Sequence, residues 1–443
     1  MAAWPALVPA AALPVLFVHV RYQPKVQVGL ASTTVGIELS DLAVLAVVLA
    51  AAFTGLRDGW EPLGHARRLW LAVGVFLALV LAATLHPPLW QDHYAFATHV
   101  VSASKFCEYA LLAPALALLL RRGDDARPLL WSLVAVSAVA TGWAVLQFAG
   151  LVNEFEGKRP LQREPSFVGI HDFAALSGAA LVVALAVLVL GGGGERALAA
   201  LAGSAGAIGL VLSGAVTGVV GVGLAALVVL AVARARGRLE PLRVAAVLAL
   251  VIVVSVGVPL LRGGEVRRAV HELGIGTQRH EGRRADSYVQ RSLLGYIGLR
   301  IFLDHPVLGV GWQASEDLEN YSPYLADAHR RFPDVADVAF PSPAHPWGIQ
   351  NAYVETLADL GVVGFVALLA LFGVALVLGW RAAVRAPPAL VLPGVAGMLW
   401  LVVAGGVWNG VGLVAGIPLD ALTWLGVGLI GAAAAWTDDA RGG

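Results

Sequence analysis

Charge is scarce in this chain. Only 14% of its 443 residues are Asp, Glu, Lys or Arg, against about 25% in an ordinary soluble domain. The little there is cancels, thirty Lys and Arg against thirty Asp and Glu. A zero balance excludes a globally basic nucleic-acid binder, which needs an excess of cations. Cysteine is reduced to Cys107, so the chain forms no internal disulfide and no cysteine-rich metal site. Several chemical signatures are missing: no Walker A loop, no His-Glu-x-x-His and no Gly-x-Ser-x-Gly. The Gly191–Gly194 run is not followed by Lys-Ser/Thr and reads as a linker. A cleavable leader is not expected, because Met1 to Ala3 carry no Lys or Arg. The apolar run from Trp4 to Val20 also ends without a convincing small-residue cleavage site.

What is present is apolar. Hydrophobic residues make up 58% of the chain, and the mean hydropathy is +0.77. That composition excludes a soluble globular enzyme, a disordered chain and a disulfide scaffold. Runs of membrane length fall at about 4–20, 39–56, 69–85, 100–120, 129–151, 169–190, 197–213, 215–233, 244–261, 351–379, 389–408 and 412–436. They are too long and too uniformly apolar for barrel strands, so the expected fold is an all-α polytopic membrane protein of about twelve transmembrane helices. The seventh and eighth runs, parted only by Ser213-Gly214, form either a tight hairpin or a broken helix. The expected organisation is a membrane bundle of spans one to nine (1–261), a large outer loop with short helices (262–350), and spans ten to twelve with a tail (351–443).

Cations set the orientation. With the N-terminus cytoplasmic, the cytoplasmic loops hold Arg57, Arg67, Arg68, Arg121, Arg122, Arg127, Arg196, Arg234, Arg236, Arg238, Arg243, Arg381 and Arg385, and the tail holds Arg441. The short outer loops hold only Arg21, Lys25, Lys158, Arg159 and Arg163. Both termini are therefore expected on the cytoplasmic side. The loop of roughly ninety residues falls outside and contains His271, His280, His305, His329 and His345. A loop of that length in a compact fold is usually functional.

Within it, Tyr288 to Asp304 has a helical stripe of Leu293, Leu294, Ile297, Ile301 and Phe302, interrupted by Arg291 and Arg300. Such a helix lies on the membrane surface or packs on the bundle, and the plain reading of its arginines is solvation. Downstream, Pro341, Pro343 and Pro346 impose an extended lead into the tenth span, with His345 between two of them. Gln350, Asn351 and Glu355 then gather at the outer mouth of that span, Asn351 and Glu355 on one helix face. The cluster reads either as plain capping or as a site. Lys105 and Glu108, three apart in the fourth span, read most simply as a mutually neutralising pair. His171 and Asp172 stand at the outer start of the sixth span. Asp420 in the last has no evident partner.

Arg291, followed fifteen residues on by Pro306-Val-Leu-Gly309-Val-Gly311, resembles the "R…PxxGxG" signature of the O-antigen ligase and O-antigen polymerase superfamily. Asn351, nine residues, then Gly361-x2-Gly364 resembles that family's "HN-x9-GxxG" motif. Arg163-Glu-Pro-Ser-Phe-Val-Gly169-Ile-His171-Asp172-Phe-Ala174 resembles its "R…G.F.hpN.lA" segment. The chain departs from the family at two positions: Gln350 stands where a histidine is usual, and Val216 where an arginine is common in an "SGSRTG"-like turn. Either the chemistry has moved to neighbours such as His345, or the chain is a divergent branch with another substrate or without transfer activity.

The resemblance implies a glycosyltransferase of the bacterial inner membrane that uses no metal or other cofactor. Its donor is a glycan on a polyprenyl-pyrophosphate carrier, its acceptor a hydroxyl of a lipid or glycan, and no nucleic acid takes part. Arg291 is then the first candidate to meet the leaving pyrophosphate, because guanidinium suits phosphate oxygens. His345 is the candidate base, Glu355 orients it or acts as base itself, and Gln350 orients a hydroxyl. Arg163, Asn351, His171, Asp172, Arg300 and Lys105 are candidates for substrate binding. Two rivals are a transporter or flippase for a lipid-linked or anionic solute, and a catalytically degenerate scaffold of polysaccharide assembly.

Overall fold

A computed structural model describes residues 5–30, 33–89, 91, 94–152, 155, 160–191, 195–262, 287–414 and 417–442. Lys158, Arg159, Gly192 to Gly194, His271 and His280 lie outside the described residues. Eleven helices among the described residues are long and apolar enough to cross a membrane. The chain is thus a polytopic helical membrane protein. The first expected span, 4–20, is instead a ten-residue helix, α1 (Leu7–Leu16), shorter than a span and carrying Pro14. At 1.5 Å per residue it covers about 15 Å.

A two-stranded antiparallel hairpin follows, β1 (Lys25–Leu30) and β2 (Thr33–Glu38). Helix α2 (Leu39–Asp58) starts from it, with Glu38 as cap and Asp41 accepting the Glu38 amide. A short α3 (Glu61–His65) precedes α4 (Arg67–Leu85). The fourth expected span is split at Leu111 into α5 (Phe96–Ala110) and α6 (Leu112–Leu119). Next come α7 (Arg127–Phe148), α8 (Ile170–Leu190), α9 (Arg196–Ser213), α10 (Val216–Ala235) and α11 (Pro241–Arg262). Helices α9 and α10 are separate helices joined by a turn at Gly214, whose φ of 61° suits a residue without Cβ, and both pack on α8. The outer part contributes α12 (Ser287–Asp304) and α13 (Leu318–Arg331). Three helices close the chain: α14 (Ala352–Arg385), α15 (Pro388–Val407) and α16 (Ile417–Gly442).

The uniformly apolar α8 is the buried axis of the bundle, wrapped by α9, α10 and α15. Small residues permit the close crossings. A Cβ on Gly206 would come within 2.6 Å of the Leu181 backbone, and one on Gly406 within 2.3 Å of Gly221 Cα.

The outer part has its own core. Leu293, Leu294, Ile297 and Ile301 of α12 pack with Tyr321, Tyr324, Phe340 and Ile349, whereas Phe302, the fifth residue of the expected stripe, is only half-buried. The stripe therefore faces protein. Tyr324 donates to Asp304 at 2.6 Å, and Tyr296 donates to Asp327, so two phenols fasten α12 to α13. Burial and the Asp304 carboxylate push the Tyr324 phenol up to about 12.

Candidate active site

Two of the motif segments interlock. Helix α14 is broken at Gly361, whose φ is 62°. In an unbroken helix Val362 N–H would bond Ala358 O, and Val363 N–H would bond Asp359 O. Here Val310 donates to Ala358 O at 2.9 Å and Gly311 to Asp359 O at 2.9 Å. Val362 donates to Pro306 O at 2.8 Å and Val363 to Val307 O at 3.3 Å. The loop 306–311 thus satisfies four of the backbone groups that the break releases, as an apolar environment demands. The glycines make room: a Cβ on Gly361 would lie 2.2 Å from Val307 O, and one on Gly309 2.3 Å from Asp359 C. One on Gly364 would meet the Leu360 Cβ at 2.1 Å. The Asp359 carboxylate extends the splice by accepting the amides of Gln313 and Ser315, each at 3.0 Å.

This joint fixes α12 above the mouth of α14. Gly298 lets α12 approach closely, since a Cβ there would meet Ile349 at 2.5 Å. Near the start of α12, the Arg291 Nε donates to Gln350 Oε1 at 3.2 Å, and its Nη2 donates to His171 Nε2 at 2.9 Å. Guanidinium only donates, so the His171 Nε2 presents its lone pair. Arg291, His171 and Gln350, distant in the chain, meet at one point.

His171 is delivered by a segment that dips into the bundle. The Ser166 hydroxyl donates to Ala140 O at 2.7 Å, eight residues before the end of α7, or about 12 Å along that helix. Gln147 donates to Ser166 O, and His19 N donates to Phe167 O. Ser166 holds φ 57°, a conformation that costs a non-glycine residue free energy and persists only where its surroundings enforce it. On the same segment Arg163 donates through Nε to Ser213 O at 3.1 Å. Its aliphatic stem lies on Gly214, where a Cβ would meet it at 2.6 Å. Arg163 therefore lies on the α9–α10 turn, the turn that carries Val216.

Asn351 caps α14, its Oδ1 accepting from Tyr353 and Val354 at 3.1 Å each. Glu355 is buried and its Oε2 accepts the Leu413 amide, while Asp172 accepts the Leu419 amide at 3.1 Å. Both carboxylates thus hold backbone amides shortly before Asp420 in the chain. Asp420 itself borders a small apolar cavity with Phe106, Leu368, Phe372 and Trp424. His345 is exposed, in a turn where its amide bonds Ser342 O, and it stacks on Trp347 at 6.0 Å. Arg300 is exposed and nine residues from Arg291; at about 100° per residue it projects from the opposite side of α12. Lys105 does not pair first with Glu108. Its Nζ lies 3.1 Å from Asp41 Oδ2, because Asp41 at the head of α2 is anchored beside it.

A further polar group escaped the sequence reading. His99 on α5 pairs with Asp317 at 2.9 Å and stacks on Tyr94 at 4.5 Å. Burial pushes both the Tyr94 phenol and the nearby Glu316 carboxyl upward. Asp359, an acid one turn beyond Glu355 in an apolar run, was the visible signal there; His99 and Asp317 carried none. Among the described residues no group of three or more His, Cys, Asp or Glu is arranged to hold a metal ion.

A family model described as O-antigen ligase matches residues 197–369. The match runs from α9 into α14 and takes in Arg291, the 306–311 loop and Gln350. It bears out the resemblance to the O-antigen ligase superfamily carried by the motifs. No curated protein matches the chain.

Proposed function

We propose that this chain, with its O-antigen ligase match at residues 197–369, is a membrane glycosyltransferase of surface-polysaccharide assembly. It moves a glycan from a polyprenyl-pyrophosphate carrier to an acceptor hydroxyl at the outer face of a bacterial inner membrane. The observation that carries this reading is the meeting of Arg291 with His171 and Gln350. Breaking the glycosyl–phosphate bond leaves negative charge on the pyrophosphate, and a preorganised guanidinium stabilises that charge as it develops. The attacking hydroxyl must lose a proton, and a histidine with an available lone pair is suited to accept it. In the structure His171 Nε2 spends that lone pair on the Arg291 guanidinium, and it can take the hydroxyl proton once the guanidinium turns to the pyrophosphate. We assign it the base role ahead of His345, with Gln350 orienting a hydroxyl. Arg163, lying on the turn that carries Val216, supplies a second cation where the family often has one. Metal is not called for in this scheme.

The distribution of cations supports cytoplasmic termini and an outer site. So does α1, whose Ala10 carbonyl accepts from Ser132 near the start of α7 while His19 reaches the outer segment at Phe167. The test is Arg291→Ala in proteoliposomes with lipid-linked donor and acceptor. A loss of about 10²–10³-fold in transfer rate is expected for removing one charge-stabilising group. Undiminished transfer with normal folding would remove Arg291 from the chemistry.

A further inference from the structure

The hairpin of β1 and β2 stands off the helical bundle. Lys25 to Gly29 are exposed, and among the hairpin residues whose burial is described the base is buried, at Glu38 beside Gln23. Register pairs Val26 with Ile37 and Gln27 with Gly36. Cross-strand partners share a face and neighbours along a strand alternate, so Val26, Val28 and Ile37 line one face. Gln27, Gly29 and Gly36 line the other. The apolar face is 66%, 42% and 41% exposed at Val26, Val28 and Ile37.

A lone two-stranded hairpin is marginal in water, so this one needs a surface against its apolar side. The chain indicates which. β2 runs directly into α2, whose Leu42, Leu45, Leu49, Phe53 and Leu56 form one exposed stripe down a membrane-length helix. That stripe is a lipid-facing surface, and the hairpin joins the outer end of its helix without a break, at Glu38 and Leu39. Both strands have unpaired edges, which excludes the hydrocarbon core and leaves the headgroup level.

We infer that the β1–β2 hairpin is an interfacial foot, lying on the outer leaflet of the bilayer with Val26, Val28 and Ile37 among the lipid headgroups and upper acyl chains. It sets the depth of α2 and offers the bundle a lipid contact outside its helices.

The test uses the full chain with Cys107→Ala and single cysteines at Val26, Gln27 or Ile37, each labelled with an environment-sensitive fluorophore. The protein is placed in phosphatidylcholine–phosphatidylglycerol vesicles. Probes at 26 and 37 should be quenched several-fold more by brominated lipid than the probe at 27, which should respond to aqueous iodide. Equal iodide access at all three positions overturns the proposal. Shielding of 26 and 37 that vanishes as protein is diluted in the vesicles also overturns it, by assigning the face to a second copy. Should the Cys107→Ala background not fold, a benzophenone amino acid at Val26 in the otherwise native chain separates the cases. Crosslinks to lipid support the foot, and crosslinks to protein or none refute it.

Discussion

Val310 donates its amide to Ala358 O, the carbonyl that Val362 would occupy in an unbroken helix. The exchange makes an outer loop a structural part of a membrane helix. Arg291 is carried on the helix that leads into this loop, and Gln350 on the chain that leads into α14. The splice therefore fixes the distance between them. The glycines of both motifs serve this joint, and the polar residues beside them meet at the mouth it builds.

Replacing Gly361 by Ala tests that reading. The backbone at Gly361, φ 62° and ψ −167°, is open almost only to glycine and alone costs an L-residue about 1–3 kcal/mol, and a Cβ 2.2 Å from Val307 O forces further movement. The expected result is a melting temperature lowered by several degrees in detergent and a matching loss of transfer. Gly373→Ala in the same helix is the control, since a Cβ there meets nothing within 4 Å. It should be neutral or stabilising by about 0.5–1 kcal/mol. Equal melting of the two variants would mean that the splice does not constrain α14.

The base assignment separates two histidines. His171→Ala should lower kcat by about 10²–10⁴-fold, the usual worth of a positioned base, with KM for donor changed much less. His345→Ala should leave kcat within a few-fold, because His345 is exposed and stacks on Trp347. The reverse ranking would return the role to His345.

The helices were legible in the chain because apolar runs of membrane length leave the backbone no alternative. Arg291 and Gln350 were legible through spacing. Their meeting with His171 was not, since it joins side chains 120 residues apart, a distance at which local pattern carries nothing. Lys105 shows the same limit: Glu108 was the neighbour in sequence, yet Asp41, 64 residues away, is the partner. The break at Gly361 was hinted at by its glycines, but the loop that repairs it became visible only in three dimensions.

Glu316 carries a pH dependence. Burial raises its pKa above the ordinary value of 4.5, with His99 opposing and Asp317 adding to the shift. A raised carboxyl favours the protonated form in the fold. Its contribution to stability is therefore present below pH 4.5 and is lost as pH rises through the folded value. Glu316→Gln removes the ionisation while keeping the shape. Its melting temperature should exceed that of the unaltered protein at pH 7 and converge with it near pH 4. A variant less stable at pH 7 would mean that the ionised carboxylate is favourable in the fold.

Asp41 has two duties, accepting the Glu38 amide at 2.8 Å and pairing with Lys105 at 3.1 Å. The substitutions Asp41→Asn and Asp41→Ala separate them. Asn keeps an oxygen for the cap and loses only the charge, whereas Ala loses both. A lost cap costs about 0.5–2 kcal/mol. The ion pair is part-exposed, 31% on the lysine and 11% on the aspartate, so screening holds its coupling to about 1 kcal/mol or less. Detergent-denaturation midpoints should therefore rank Asp41→Ala well below Asp41→Asn, and a double-mutant cycle of Asp41→Asn with Lys105→Met should give only weak coupling. A cycle energy larger than the difference between Ala and Asn would make the ion pair, rather than the cap, the anchor that sets α5 against α2.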